Sequence, residues 1–374
     1  MPKVLFLTAY PVEDASCRYR VHQFVPYLER AGYHCTISTF ATPRLFRAIT
    51  RRNAIGARIL GGLYCSVRRL ARLRDLSSFD FVIIHREAFP FFAPYFENVV
   101  FNRHKKVIFS FDDAIYAGHE DASKLNHPTL YRWKHGHGYD EVIRRSAHII
   151  VGNRILADYA LKWNPNVSII PTVVDTRQYW FKPVDSGHSR LTIGWIGSPS
   201  TSPYLTLIEP ALRRLAAVHA DKVQFRFCGD PEYRLNMPEL SFLPFQLDHE
   251  IDDLHSFDVG LMPLSDTEWT RGKCAFKAIQ YMAAGVPTVA SPVGITTDLI
   301  QDGVNGFLAS SAGEWFTALD RLVRDAELRH RVAVAARQTI EDSYSLDVWW
   351  PRFVALLDQL GERASTSQRE TVAA

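Results

Sequence analysis

The sequence predicts an α/β protein built from two doubly wound, parallel-sheet domains, and three observations carry that expectation. Short apolar runs alternate with helical patterns from Lys3 onward, the signature of consecutive β-α-β units. The alternation lapses at Trp180–Ser189, where the composition turns to Lys, Pro, Asp, Ser and Gly, and then resumes. The 374 residues suffice for two domains of ordinary size, each burying its own core. The expected division is 1–178 and 179–345, followed by a helix over 346–362 packing back toward the first domain and a frayed polar tail over 363–374.

In the first half, Lys3–Thr8 is an apolar strand leading into the polar loop Ala9–Cys17. A helix follows over Tyr19–Ala31, with Val21, Phe24, Val25 and Leu28 on one face; Pro26 implies a kink or a later start. Gly32 ends it, and Cys35–Thr39 is the second strand. The turn after the first strand holds no Gly-x-Gly-x-x-Gly, which argues against the usual dinucleotide site. Arg18 and Arg20 stand at the loop–helix junction, where arginines either hold phosphate or are solvated. Phe79–Ile84 and Lys106–Phe111 are further strands, ending at His85-Arg86-Glu87 and Asp112-Asp113. Polar strand ends of a parallel sheet emerge at the edge where sites are built, although such residues also serve as caps. His119, His127, His135 and His137 match no metal-ligand spacing and are expected at the surface. Ala147–Val151, the helix Ile155–Lys162 and Val167–Pro171 complete this half.

Arg44–Arg74 holds nine arginines and no acidic residue. Leucine, isoleucine, valine and aromatic residues lie between them at roughly helical spacing. Such helices either lie on an anionic membrane surface or pack inward with their arginines in water. Too few aromatics are present for nucleic-acid stacking.

In the second half, Leu191–Ile196 is a strand and Gly197-Ser198-Pro199-Ser200-Thr201 a small-residue loop. Ser202 and Pro203 are expected to cap and open one helix reaching His219. Val223–Cys228 and Ser241–Phe245 are strands. The clearest stretch is Asp258–Leu308: an apolar strand, a polar loop, and then Lys273–Gly285 with Phe276, Ile279 and Met282 at helical spacing. Gly285 stands where a helix end takes a left-handed residue. The loop before this helix offers backbone N–H groups, a positive dipole end, Lys273 and Lys277: a candidate anion site, or an ordinary crossover with solvated lysines. Helices over Glu314–Arg324, Ala326–Asp342 and Asp347–Leu360 close the chain.

Composition excludes several classes. The net charge of +3 is too small to indicate nucleic acid. Five cysteines without paired spacing point to a reducing compartment and no structural zinc. No run approaches the length of a membrane-spanning helix. A cytoplasmic location is expected, with peripheral attachment to the inner membrane face if the arginine-rich segment binds lipid.

The run Tyr281-Met282-Ala283-Ala284-Gly285-Val286-Pro287-Thr288-Val289-Ala290-Ser291-Pro292-Val293-Gly294, continued by Asp298-Leu299-Ile300 and Asp302-Gly303-Val304-Asn305-Gly306-Phe307-Leu308, resembles the retaining glycosyltransferases of the GT-B fold, family four (the group 1 type). Ile170-Pro171 through Asp175, Cys228-Gly229-Asp230 and Asp258–Pro263 fit the same pattern. Arg18-Tyr19-Arg20 and Phe111-Asp112-Asp113 carry the likeness in the first half. The resemblance implies two Rossmann-like domains facing across a cleft. It further implies transfer of a sugar from a nucleotide-diphosphate sugar to a glycan or lipid-linked acceptor, in polysaccharide or glycoconjugate synthesis. The expected enzyme is hexosyltransferase-like, without metal or cofactor. By resemblance, the backbone of Ala275, Phe276 and Lys277 faces the diphosphate, with Gly197, Ser198, Ser200 and Thr201 opposite. Lys273 or Lys277 neutralises the leaving group, and the acceptor lies near Arg18, Arg20, His85, Asp112 and Asp113. The family's two glutamates, eight positions apart, fall on Gly272 and Gln280, so both carboxylates are absent. Gln280 can still accept from ribose hydroxyls, and Glu268 is the candidate to replace the lost sugar contact. A catalytically silent glycan- or partner-binding protein and a nucleotide-sugar epimerase are the alternatives.

Overall fold

The computed structural model describes residues 1–50, 55–90, 97–117, 138–182, 190–230, 232–235, 237 and 239–373. The four histidines 119, 127, 135 and 137, and most of the polar stretch after Lys182, lie outside them. The chain divides into two compact units, Met1–Thr172 with Trp349–Ala374, and Val173–Val348.

The first unit holds a parallel sheet of six strands: β1 Lys3–Thr8, β2 His34–Thr39, β3 Phe81–His85, β4 Val107–Phe111, β5 His148–Val151 and β6 Val167–Ile169. Their order is β2-β1-β3-β4-β5-β6, with Thr8 opposite both Thr39 and His85. β3, β4 and β5 are buried throughout, which is why they read as unbroken apolar runs. Strand order reverses between β1 and β3, so the carboxyl edge there is the place for a ligand. The expected helix after the first loop starts late: a π-type turn, Arg18–His22, precedes the helix Val25–Arg30, which has Pro26 in its first turn.

The second unit holds β7 Leu191–Ile196, β8 Val223–Cys228, β9 Leu240–Leu243, β10 Val259–Met262, β11 Thr288–Ala290 and β12 Phe307–Leu308, ordered β12-β11-β10-β7-β8-β9 and all parallel. Its switch point lies between β7 and β10. Gly285 takes φ +73° after the helix Phe276–Ala283, as its position required.

Two expectations are corrected. No single helix runs from Ser202 to His219. A 3₁₀ segment, Ser202–Leu207, gives way at Ile208 to the helix Glu209–Val218 with Pro210 in its first turn. Pro210 lacks the N–H a continuous helix needs, so the chain restarts there. Ser202 caps nothing; its hydroxyl donates to Asp230. The last helix does not stop at Leu360 but runs Leu346–Ala373. Trp350 and Phe353 set it against Tyr27 and Phe24 of the first unit, and Asp358 accepts from the Tyr33 hydroxyl.

Candidate functional site

In the second unit the two central strands part at the switch point. β10 pairs with β7 only at Val259↔Ile193 and Gly260↔Gly194, so the backbone beyond needs other partners. Tyr281, fully buried, provides them. Its hydroxyl accepts from the Ile196 N–H at 2.9 Å and donates to the Leu261 carbonyl at 3.3 Å. Glycine makes room for the ring, since a Cβ on Gly260 would lie 2.5 Å from it. Burial pushes the phenol far above its usual range, which keeps the hydroxyl a donor.

The loops at this edge are built for close approach. A Cβ on Gly229, at φ +115°, would fall 1.7 Å from the Gly197 carbonyl oxygen, so the loops after β7 and β8 touch backbone to backbone. The small-residue loop closes on itself: the Ser198 N–H donates to Thr201 Oγ1 at 3.2 Å and the Thr201 N–H to the Ser198 carbonyl at 2.8 Å. Ser198 and Ser200 stay exposed while Thr201 is buried. After β10, Thr267 and Thr270 form a reciprocal cap on the short helix Glu268–Arg271. Gly294, at φ +61°, packs where a Cβ would be 2.4 Å from the Arg271 carbonyl.

The chain enters the helix Phe276–Ala283 through Ala275 at φ +51°, a left-handed conformation rare outside glycine. An alanine brings no side-chain cap, and the helix start carries the positive end of the dipole. The Lys273 ammonium lies 4.9 Å from the Trp269 ring and that of Lys277 5.9 Å from the Trp195 ring. Trp195 also abuts Gly197, which places Lys277 beside the small-residue loop. Gln280 is buried, and its Nε2 donates to Tyr179 Oη and Glu250 Oε1, each at 3.0 Å. Both bonds use the amide nitrogen, so Oε1 keeps its lone pairs. A carboxylate therefore does stand beside Gln280, and it is Glu250. Glu268 is exposed on its short helix.

In the first unit a polar cluster sits at the other switch point. Ser16 Oγ donates to Asp112 Oδ2 at 2.6 Å and lies 2.8 Å from His85 Nε2. Arg86 pairs with Asp113 at 2.6 Å and approaches Asp112 at 3.6 Å. Burial alone would raise the Asp112 carboxyl, but Arg86, His85, Arg20 and the Ser16 hydroxyl outweigh it and hold it at about 2. Burial, aided by Arg20 and Arg86, lowers His85 to about 3 despite Asp112, so the ring is neutral. An ionised Asp112 only accepts; the single Ser16 proton is thus committed to it, and His85 Nε2 must be the donor to Ser16. Arg86 itself adopts φ +62°, a non-glycine left-handed residue at a strand end, as is frequent where backbone strain serves a site.

Arg20 is not at the surface. Its guanidinium is buried, bonded to the Ile170 carbonyl and reaching Ser110 Oγ at 3.5 Å. Arg18 donates to the Val12 carbonyl at 2.9 Å. Of the expected residues, the first unit gathers His85, Asp112 and Asp113, and the second gathers Gly197, Thr201 and Lys277. Ser16, Arg86, Tyr179, Glu250 and Tyr281 were not singled out from sequence for the roles they hold here. Among the described residues no His/Cys/Asp/Glu cluster could hold a metal ion.

Two units, each with a six-stranded parallel sheet and flanking helices, define a two-domain Rossmann-like fold of the GT-B type. Residues 190–325 match the family model described as glycosyl transferases group 1. Sucrose-phosphate synthase from Thermosynechococcus elongatus superposes with a TM-score of 0.70 at 12% identity, covering 96% of this chain and 99% of that one. HepE of Anabaena, in a complex with UDP and glucose, gives 0.67 at 14% identity over 96% of this chain and 100% of its own. A D-inositol 3-phosphate glycosyltransferase of Stackebrandtia nassauensis is 43% identical over 61 residues, which span 16% of this chain and 14% of that protein.

Proposed function

We propose that the protein transfers a sugar from a nucleotide-diphosphate sugar to a glycan or lipid-linked acceptor, with retention and without a metal, in polysaccharide or glycoconjugate synthesis. The observation that carries this reading is the helix entry at Ala275, with Lys273 and Lys277 beside it, inside the region that matches group 1 glycosyl transferases. The helix start and the two ammonium groups would hold the diphosphate. When the bond from the anomeric carbon to the diphosphate oxygen breaks, its electron pair leaves with the diphosphate, and the lysines offset that charge. Each charge-assisted contact is worth about 1.5–3 kcal/mol. The acceptor oxygen bonds the same face of the anomeric carbon, and its proton passes to the departing diphosphate.

Gln280 Oε1 would accept from a ribose hydroxyl, with Glu250 supplying the carboxylate that the helix position lacks. On the acceptor side Asp112, engaged by Ser16 and held at a low pKa, is a poor base, and Asp113, although paired with Arg86, is the other carboxylate that could orient a hydroxyl. HepE with UDP and glucose makes UDP-glucose the first donor to try. Lys277→Ala is expected to weaken donor binding about tenfold or more in calorimetry, matching one charge-assisted contact; unchanged affinity would overturn the assignment. A second reading, a silent protein that binds a glycan or partner, is favoured by the residues at Gly272 and Gln280. Product formation from a labelled donor separates the two.

A further inference from the structure

The helix Ile55–Arg72 presents an apolar face that, among the described residues, is left exposed. Ile59, Leu60, Leu63, Tyr64, Val67 and Leu70 are each between 50% and 72% exposed. At about 100° per residue they fall within an arc of about 140°, and the buried Gly62, Cys65 and Arg69 lie on the opposite side. The helix is thus held to its unit by a narrow face of small residues and by two arginines. Arg69 donates to the Thr8 carbonyl at 2.7 Å and Arg68 to the Thr39 and Phe40 carbonyls at 2.7 Å. These contacts fix the helix at the carboxyl edge of β1 and β2, the sheet edge from which the loop bearing Ser16 departs.

Charge decides what covers the face. Residues 44–74 contain nine arginines and no carboxylate, and Arg44, Arg47 and Arg74 are exposed. A second copy packed here across a twofold axis would bring two of these arginine-rich, carboxylate-free segments close together. A bilayer surface rich in anionic headgroups instead takes the apolar stripe at the acyl boundary and the arginines at the phosphates. We propose that the helix Ile55–Arg72 docks the protein on an anionic membrane surface through this stripe. The inference stands on the first unit alone and does not depend on the donor chemistry.

The full chain is tested by co-sedimentation with phosphatidylcholine vesicles and with mixed phosphatidylcholine–phosphatidylglycerol vesicles. Wild-type protein is expected to bind the mixed vesicles, to be released by salt, and to ignore the neutral ones. The double variant Leu63→Glu/Val67→Glu should lose binding by about tenfold or more with unchanged circular dichroism, because both side chains are exposed. Tyr64→Trp adds a readout independent of that variant: its added fluorescence should shift to the blue on mixed vesicles and be quenched by brominated acyl chains. Equal binding to both vesicle types, no binding, or an unshifted Trp signal overturns the proposal. So does a wild-type dimer in sedimentation equilibrium that the double variant abolishes, since the face is then covered by a second copy.

Discussion

Tyr281→Phe isolates the device that parts the central strands of the second unit. The ring stays, so packing against Gly260 is kept, and only the hydroxyl is lost. The Ile196 N–H then has no acceptor at 2.9 Å, and the Leu261 carbonyl loses a weaker bond at 3.3 Å. A buried donor left unsatisfied costs about 1–3 kcal/mol, and a carbonyl with a second lone pair costs less. The expected loss is therefore about 2 kcal/mol. Urea unfolding should show a lower midpoint at unchanged slope in the transition of this unit. Hydrogen exchange at the Ile196 amide should speed up about thirtyfold, which is that energy at 1.36 kcal/mol per factor of ten. Tyr64→Phe, at an exposed tyrosine, serves as the control and should change neither. A loss below about 0.5 kcal/mol, the floor for one hydrogen bond, would refute the reasoning, because Tyr281 would then be filling space only.

Two more outcomes concern buried charge. Lys182 pairs with Asp258 at 2.9 Å with both side chains nearly enclosed, and the second Asp258 oxygen accepts from the Thr192 N–H. Lys182→Met should cost about 3–5 kcal/mol in urea unfolding by stranding the carboxylate, and a cost under about 1 would contradict it. Burial pushes the Glu97 carboxyl to about 8 despite N–H donation from Ala88 and Phe89. A raised folded pKa means that the native state holds the proton while the unfolded chain releases it. Stability from this group is thus complete below the unfolded value of 4.5 and is lost as pH rises through about 8. Glu97→Gln keeps an acceptor for both N–H groups and should flatten that decline in midpoints measured across pH. Parallel wild-type and variant curves would count against it.

What the sequence made legible was whatever repeats locally. The strands were readable because both faces of a parallel sheet are covered, and β3 and β4 are buried from end to end. Gly285 and Pro26 act on their own backbone, so their effects appeared where they stand. The break at Pro210 was equally local but was masked by the apolar spacing around it. The site was less readable because its bonds join distant residues. Gln280 meets Tyr179 across 101 positions and Glu250 across 30, and Ser16 meets Asp112 across 96. No periodicity records such a pairing, and strand order, which makes it, is set by which crossover packs where.

The same separation bears on the surroundings of Gln280. Counting along the helix gives a site without charge at Gln280, whereas the structure sets the Glu250 oxygen 3.0 Å from the Gln280 amide. Two carboxylates at that distance in a buried setting cannot both ionise without raising one pKa. An amide at 280 avoids the conflict: its Nε2 donates to Glu250 and its Oε1 remains an acceptor. A glutamate at 280 beside Glu250 would be the strained combination. The Gln280 amide and the Glu250 carboxylate are therefore one arrangement, assembled by the fold from two elements 30 residues apart.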